Sequence, residues 1–331
     1  MTHEDTSVHG MYGDIKLFAG TASPTVAQGI ADYLGIPLSG RDIIEFPNEN
    51  LWARLHESVR GQDVYLIQST SRPVHRNIME MLIMLQTLRL DSAGRVTAVI
   101  PYLSYTRSDK KDKPRVPITA RLVADMVEIA GADRYMTLDM HAGQIQGFFS
   151  IPGDVLTAFH LLRDRITELM PRMKDPTVLT VDLGFAKKGR NLAAELDVPI
   201  AFIEKRRASS TTSVEALTLI GDAENRDVII VDDEVDTGGS MAEAAHLAKE
   251  QGARDIYVCF VHPVFSKPAV QRLAASPITH LITTASIPIP EEDLQMLRNN
   301  FKVDVLDISP LLGEVIRRAH EGRSVGAMFD E

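Results

Sequence analysis

Along the chain, short β-branched runs alternate with longer stretches whose apolar residues return every three or four positions. The runs Ile15 to Ala19, Val96 to Ile100, Tyr135 to Leu138, Val178 to Val181, Ile200 to Ile203, Val228 to Val231, Leu281 to Thr284 and Val303 to Asp307 are too short for helices. They read as strands, and the near-continuous ones as strands buried on both faces. Between them lie helical patterns. Ser23-Pro24 marks a helix start with proline at the first position, and Gly35-Ile36-Pro37 ends that helix after Leu34. Further helices are predicted over 77–88, Thr119 to Ala130, an Ala-rich segment ending near Gly252, and Pro310 to His320. Residues 1–12 carry no periodicity and read as a tail. Alternating strand and helix predicts an α/β protein with mainly parallel sheets covered by helices.

The pattern repeats. Laid without gaps on Asp227 to Ser240, the stretch Asp63 to Arg76 matches strand for strand and helix for helix. Gln68 and Ser69 fall where Asp232 and Asp233 stand, and Val74 and His75 where Gly238 and Gly239 stand. Either the two halves are copies of one α/β unit, of which the second alone carries acidic and glycine chemistry, or they are unrelated units of similar length.

Composition narrows the class. The length of 331 residues suggests about two domains. A net charge of −10 argues against a general nucleic-acid or anionic-membrane surface, and leaves room for local cationic clusters. The single cysteine, Cys259, excludes an internal disulfide framework and a cysteine-based zinc site. No stretch approaches the roughly 18 apolar residues of a membrane span, and the start M-T-H-E-D-T-S has no signal-peptide core, so a cytoplasmic enzyme is expected.

The chemistry concentrates after Val228–Val231, where Asp232, Asp233 and Asp236 precede Thr237, Gly238, Gly239 and Ser240 at a helix start. Strand, loop and helix N-terminus bind phosphate through free N–H groups and the helix dipole, and glycines admit close approach. Carboxylates beside that cradle accept hydrogen bonds from hydroxyls, which describes a sugar phosphate, most economically ribose 5-phosphate. The bland alternative is an acidic turn capped by Ser240. A cationic loop with Arg107, Lys110, Lys111, Lys113 and Arg115 follows the strand ending at Ile100. Such a loop can close over a polyphosphate or simply be solvated surface. Asp139 and His141 alternate off a strand end and could bind a divalent metal, with Asp182 a second carboxylate at an equivalent edge. Lys205 and Arg207 lie two apart at another strand end and would point the same way.

V-D-D-E-V-D-T-G-G-S (231–240) resembles the phosphoribosyl-diphosphate loop of phosphoribosyltransferases and of ribose-phosphate diphosphokinases. Four further stretches resemble the latter family, class I type: 57–64 with 68–74, 107–126 (its flexible catalytic loop), D-M-H-A-G-Q-I-Q-G-F-F at 139–149, and E-K-R-R at 204–207. The resemblance implies two tandem phosphoribosyltransferase-like domains, 13–158 rejoined by 314–331, and 159–313, with the active site between them. It implies transfer of the pyrophosphoryl group of ATP to the C1 hydroxyl of ribose 5-phosphate, with release of AMP. Asp232, Asp233, Asp236, Thr237, Gly238, Gly239 and Ser240 would then hold ribose 5-phosphate, and His141 and Asp182 would hold Mg²⁺. Lys205 and Arg207 would be catalytic. Phe46, Asn48, Asn50, Arg107, Ser108, Asp109 and Lys110 would bind ATP, the 46–50 segment serving a neighbouring subunit. A homo-oligomer is therefore implied, dimer-based and expected to be a hexamer. A non-catalytic regulatory paralogue and a phosphoribosyltransferase are the alternatives.

The chain departs from the family pattern in several places, the first two on the nucleotide side. Glu49-Asn50 replace Gly-Glu in the adenine segment, and Ser108 replaces a glutamine. His75-Arg76 replace an Asn-acid pair, and Phe185 a glycine. Gly143 and Gly326 replace serines at positions that resemble the regulatory ADP site, so altered or absent ADP inhibition is expected.

Overall fold

The computed structural model describes residues 12–182, 184–207 and 215–328, apart from the side chains of 205–207 and 215–216. The tail expected over 1–12 thus falls outside the described residues except for Tyr12. The chain forms two compact units: one runs to Leu156 and resumes at Asp307, and the other is Thr157–Leu306. No helix among the described residues is long and apolar enough to cross a membrane.

The first unit takes the chain through β1 (Ile15–Ala19), α1 (Pro24–Leu34), β2 (Arg41–Glu45), β3 (Leu51–Leu55), β4 (Asp63–Ile67), α2 (Val74–Leu90), β5 (Arg95–Ile100), α3 (Thr119–Ala130), β6 (Arg134–Leu138) and β7 (Gly153–Leu156). Its sheet is parallel, in the order β1-β4-β5-β6-β7. All five residues of β4 are buried, the apolar run Val64–Ile67 together with Asp63 ahead of it. Strands β2 and β3 form a separate antiparallel hairpin that the periodicity left unassigned. Ser23 does precede α1, but its hydroxyl accepts the N–H of Ser69 at 2.8 Å and makes no cap bond. The residue therefore ties the loop after β1 to the loop after β4.

The second unit contains α4 (Phe159–Leu169), β8 (Thr177–Thr180), α5 (Ala186–Glu195), β9 (Ile200–Arg207), β10 (Glu215–Ile220), β11 (Val228–Val235), α6 (Gly239–Glu250), β12 (Ile256–Pro263), α7 (Ala269–Ala274), β13 (His280–Thr284), α8 (Glu291–Arg298) and β14 (Lys302–Leu306). Its strands run β10-β9-β8-β11-β12-β13-β14, parallel except for β10. Strand alternation divides the core. Val228 and Ile230 face α6 and α7 through Ala244, Ala248 and Leu273, while Ile229 and Val231 face α4 and α5 through Leu162, Ile166 and Leu192.

The order β1-β4-β5-β6-β7 is the order β8-β11-β12-β13-β14 of the other sheet. The matched aspartates also play one part in both units. Asp63 opens β4 fully buried and takes two bonds from Arg95, at 2.7 and 2.6 Å. Asp227 stands fully buried before β11, with Arg254 at 3.2 Å. This is the physical content of the repeat: an acid at the base of a central strand is neutralised by an arginine from the base of the next.

From Asp307 the chain returns to the first unit with α9 (Ser309–Glu321), which packs on α1. The return comes at Asp307 because α9 docks whole. Glu314 reaches Tyr33 of α1 at 3.0 Å, and His320 Nδ1 lies 2.8 Å from Asp63. Arg95 also donates to the carbonyl of Ala319 at 3.2 Å. Removing one partner of such a buried ion pair costs about 3–5 kcal/mol, so this cluster fixes a helix distant in sequence.

Candidate functional site

In the second unit β11 runs on to Val235, so Asp232 and Asp233 lie in the strand rather than beyond it. The run Val228–Val231 understated the strand because β-propensity falls at the acids while the parallel pairing to β12 continues. Asp233 is buried, and Asp232 is partly exposed. The backbone holds the two in place: Asp232 Oδ1 accepts the N–H of Asp233 at 2.9 Å, and Asp233 Oδ1 that of Glu234 at 2.9 Å.

Gly238 precedes α6 with φ +74°, in the left-handed region, and a Cβ there would stand 3.2 Å from the backbone of Ala269. Only glycine takes this turn without strain. The first bond of α6 is donated by Ala242 to the carbonyl of Gly238 at 3.0 Å, and Gly238, as the N-cap, has no side chain with which to cap this end. The leading N–H groups therefore point out of the helix at the positive end of its dipole. Thr237 and Ser240 are exposed, and Asp236 and Gly239 are partly so. Arg272 of α7 donates to the carbonyl of Thr237 at 3.1 Å. A cleft of about 660 Å³ runs along α6 and α7, lined by Glu243, His246, Glu250 and Arg272, and Gly239 is the one residue of the turn that borders it.

Burial, the neighbouring Asp233 and, more weakly, Asp182 push the Asp232 carboxyl well above its ordinary range. Asp182 Oδ1 also accepts the N–H of Phe185 at 3.0 Å, at the turn into α5. Phe185 is buried against Phe159, ring centres 5.5 Å apart, and fills space that a glycine would leave open. Among the described residues no group of three or more His, Cys, Asp or Glu side chains gathers as a metal cage. Asp182, Asp232, Asp233 and Asp236 of this unit are hard oxygen donors of the kind magnesium takes, one or two carboxylates together with substrate phosphates. Lys205 and Arg207 both belong to β9, opposite Leu217 and Glu215 of β10; their side chains lie outside the described part.

In the first unit Phe46–Asn50 is the turn of the β2–β3 hairpin. Phe46 donates to the carbonyl of Asn50 at 2.9 Å, and Glu49 to that of Phe46 at 2.8 Å. Asn48 Oδ1 accepts the N–H of Asn50 at 3.2 Å. Phe46 itself is exposed. Glu49 adopts φ +63°, so the position where the family pattern has glycine keeps its left-handed backbone while bearing a side chain.

The loop after β5 divides the four residues expected there. Arg107 and Lys110 are exposed, as are Lys111, Lys113 and Arg115. Ser108 is turned to α3: its hydroxyl accepts the N–H of Thr119 at 3.1 Å, and its carbonyl that of Ala120 at 3.2 Å. Asp109 is buried and takes a hydrogen bond from Gln144. These two side chains therefore shape the loop and its joint to 139–149. His141 is exposed near the start of that segment, while Asp139 is buried at φ 36°.

Comparison with known proteins gives this arrangement its family. Residues 15–131 match the N-terminal domain of ribose phosphate pyrophosphokinase. Residues 174–330 match the phosphoribosyl synthetase-associated domain. The ribose-phosphate pyrophosphokinase of Clostridium tetani is 42% identical over 317 residues, 96% of this chain and 97% of the relative. That of Aquifex aeolicus is 41% identical over 315 residues, 95% of this chain and 99% of the relative. The chain belongs to the ribose-phosphate pyrophosphokinase family. The fold agrees: the crystal structure of phosphoribosylpyrophosphate synthetase from Mycobacterium smegmatis superposes with a TM-score of 0.87 at 38% identity, covering 93% of this chain and 99% of that one.

Within this family fold, two groups escaped the sequence reading. Arg272, thirty-odd positions past the acidic loop, carries no motif and is brought to Thr237 only by the packing of α7. Arg76 departs from the family pattern, and its partner Glu45 lies on a hairpin that no periodicity marks. Only charge opposition between the two could have hinted at the pair.

Proposed function

We infer that this protein transfers the β,γ-pyrophosphoryl group of ATP to the C1 hydroxyl of ribose 5-phosphate, yielding 5-phosphoribosyl 1-diphosphate and AMP for nucleotide biosynthesis. The observation that carries the reading is the turn Asp232–Ser240: a helix start behind a left-handed glycine, next to the carboxylates of Asp232 and Asp233, on a chain that matches this family over nearly its full length. The N–H groups of α6 would hold the 5-phosphate, and Asp232, Asp233 and Asp236 would accept from ribose hydroxyls. Both family domains are present, which speaks against a lone phosphoribosyltransferase.

We propose that His141 and Asp182 hold magnesium, which when bound neutralises and orients the polyphosphate. Lys205 and Arg207, with Arg107 and Lys110 of the cationic loop, would stabilise charge on the transferring group; losing one such cation costs on the order of 2–4 kcal/mol of barrier. Phe46 would stack on the nucleotide base with Asn48 and Asn50 beside it. A cytoplasmic homo-oligomer, dimer-based and hexameric, would deliver this turn to a neighbour's site. The exposed apolar residues Ile44, Phe46 and Trp52 on one hairpin support that association.

The test is AMP formation from MgATP with and without ribose 5-phosphate, with Lys205→Ala as control. Ribose-dependent AMP that collapses in the variant is expected. No AMP from ATP or any other nucleoside triphosphate would overturn the reading in favour of a regulatory paralogue.

A further inference from the structure

Helix α2 opens with His75-Arg76, where the family pattern has an asparagine and an acid, and the structure gives Arg76 a use. Its Nη1 donates to Glu80 Oε2 at 2.7 Å and to Thr21 Oγ1 at 2.9 Å. Its Nε reaches the other way, to Glu45 Oε2 at 2.7 Å. Glu80 is buried, and its second oxygen accepts the N–H of Thr21 at 2.6 Å. Glu45 is the last residue of β2, bonded through one peptide to Phe46. One guanidinium thus joins the root of the 46–50 turn to a buried anchor between α2 and the loop after β1.

The two arms of this fork serve different ends. The inner arm neutralises a carboxylate that could not stay buried and charged alone. The outer arm cannot be explained by stability, because Glu45 is 43% exposed and an ion pair so solvated contributes little. What an exposed but well-directed pair does supply is orientation: it fixes where β2 ends and hence the direction in which Phe46 and Asn48 leave the strand. Next to it, His75 Nδ1 lies 3.5 Å from the hydroxyl of Tyr105, whose carbonyl accepts the N–H of Ser108 at 2.9 Å in the cationic loop. The first two side chains of α2 after Val74 therefore contact residues just ahead of both segments assigned to the nucleotide, Glu45 and Tyr105.

We propose that Arg76 is a positioning residue for the nucleotide base, acting through Glu45 on the 46–50 turn; the proposal rests on the reaction assigned above. It predicts that the charge of Glu45 matters to nucleotide binding although Glu45 need not touch the nucleotide.

The experiment is a double-mutant cycle in the full-length enzyme with E45Q, R76Q and E45Q/R76Q. It reads KM for MgATP, KM for ribose 5-phosphate, kcat and thermal midpoint, with MgATP affinity measured directly by calorimetry. E45Q should raise KM for MgATP about threefold, with KM for ribose 5-phosphate, kcat and thermal midpoint unchanged. R76Q leaves Glu80 unpaired and will also lower the midpoint, so E45Q is the decisive single variant. In the double variant the nucleotide effect should be no larger than in R76Q, since both changes break one contact. Additive effects, an equal rise for both substrates, or an unmoved KM for MgATP in E45Q would overturn the proposal. Absence of AMP formation by the unaltered enzyme would instead refute the assigned reaction. Calorimetry then judges the positioning: weaker MgATP binding by E45Q upholds it, and unchanged binding or none by the unaltered protein overturns it.

Discussion

Two adjacent glycines separate the architecture of the phosphate turn from its use. Gly238→Ala places a Cβ on a backbone with φ +74° and within 3.2 Å of the Cα and carbonyl oxygen of Ala269. The left-handed conformation costs about 1–2 kcal/mol for a residue with a Cβ, and the contact with a neighbouring backbone has no flexible end to yield. Alanine's stiffer unfolded chain returns about 0.4–1 kcal/mol. The net loss should be about 1–2 kcal/mol, or a few degrees in the midpoint of a unit this size. Gly239→Ala is different. Its Cβ would meet nothing nearer than Arg272 Nη1 at 3.7 Å, at a backbone with ordinary φ in the first turn of α6. Stability should stay within about 0.5 kcal/mol, yet the methyl stands where an anion approaches the N–H groups. The assay pairs thermal unfolding with KM for ribose 5-phosphate. Gly238→Ala should lower the midpoint, whereas Gly239→Ala should keep it and raise that KM about tenfold. A Gly239→Ala enzyme with unchanged KM and unchanged ribose 5-phosphate affinity would show that the phosphate does not sit on this helix start.

Hydrogen bonds from Arg318 and Arg317 hold the Glu314 carboxyl down at about 2, against an ordinary 4.5. A lowered acid stabilises the fold above pH 4.5 and loses that contribution as pH falls toward 2, so Glu314→Gln should cost about 1–2 kcal/mol at neutral pH after solvent screening, a gap that closes in acid. Unfolding midpoints of both proteins from pH 7 to 2.5 check this, and a gap independent of pH refutes it. Glu49→Gly should stabilise the fold by about 0.5–1 kcal/mol, read as a higher unfolding midpoint, because glycine relieves the φ +63° backbone; a loss of stability would show that the Glu49 side chain is held by contacts that outweigh the strain. Inhibition of AMP formation by ADP should be weak, and Gly143→Ser with Gly326→Ser should strengthen it without loss of stability, since neither Cβ meets an atom closer than 3.9 Å; strong cooperative inhibition of the unaltered enzyme sinks this.

The sequence by itself determined what depends on local period and local chemistry. The apolar run Val64–Ile67 reads as a buried strand, and the glycines after Asp236 mark a turn into a helix. The repeat was legible too, because Asp63 and Asp227 begin equivalent strands in two copies of one strand order. Tertiary structure decided the rest. Hairpin β2–β3 has no core of its own and pairs outside both main sheets, so five-residue strands with mixed polarity gave little periodic signal. The end of β11 was set by pairing with β12 rather than by the residues that fill it. Ser23 stands where a cap is expected yet holds the N–H of Ser69, and the Ser108 hydroxyl meets the first turn of α3. The reach of Arg272 to Thr237 and of Arg76 to Glu45 spans 35 and 31 positions. Such contacts belong to no period and no motif; they exist because packed helices and strands bring distant side chains within hydrogen-bonding range.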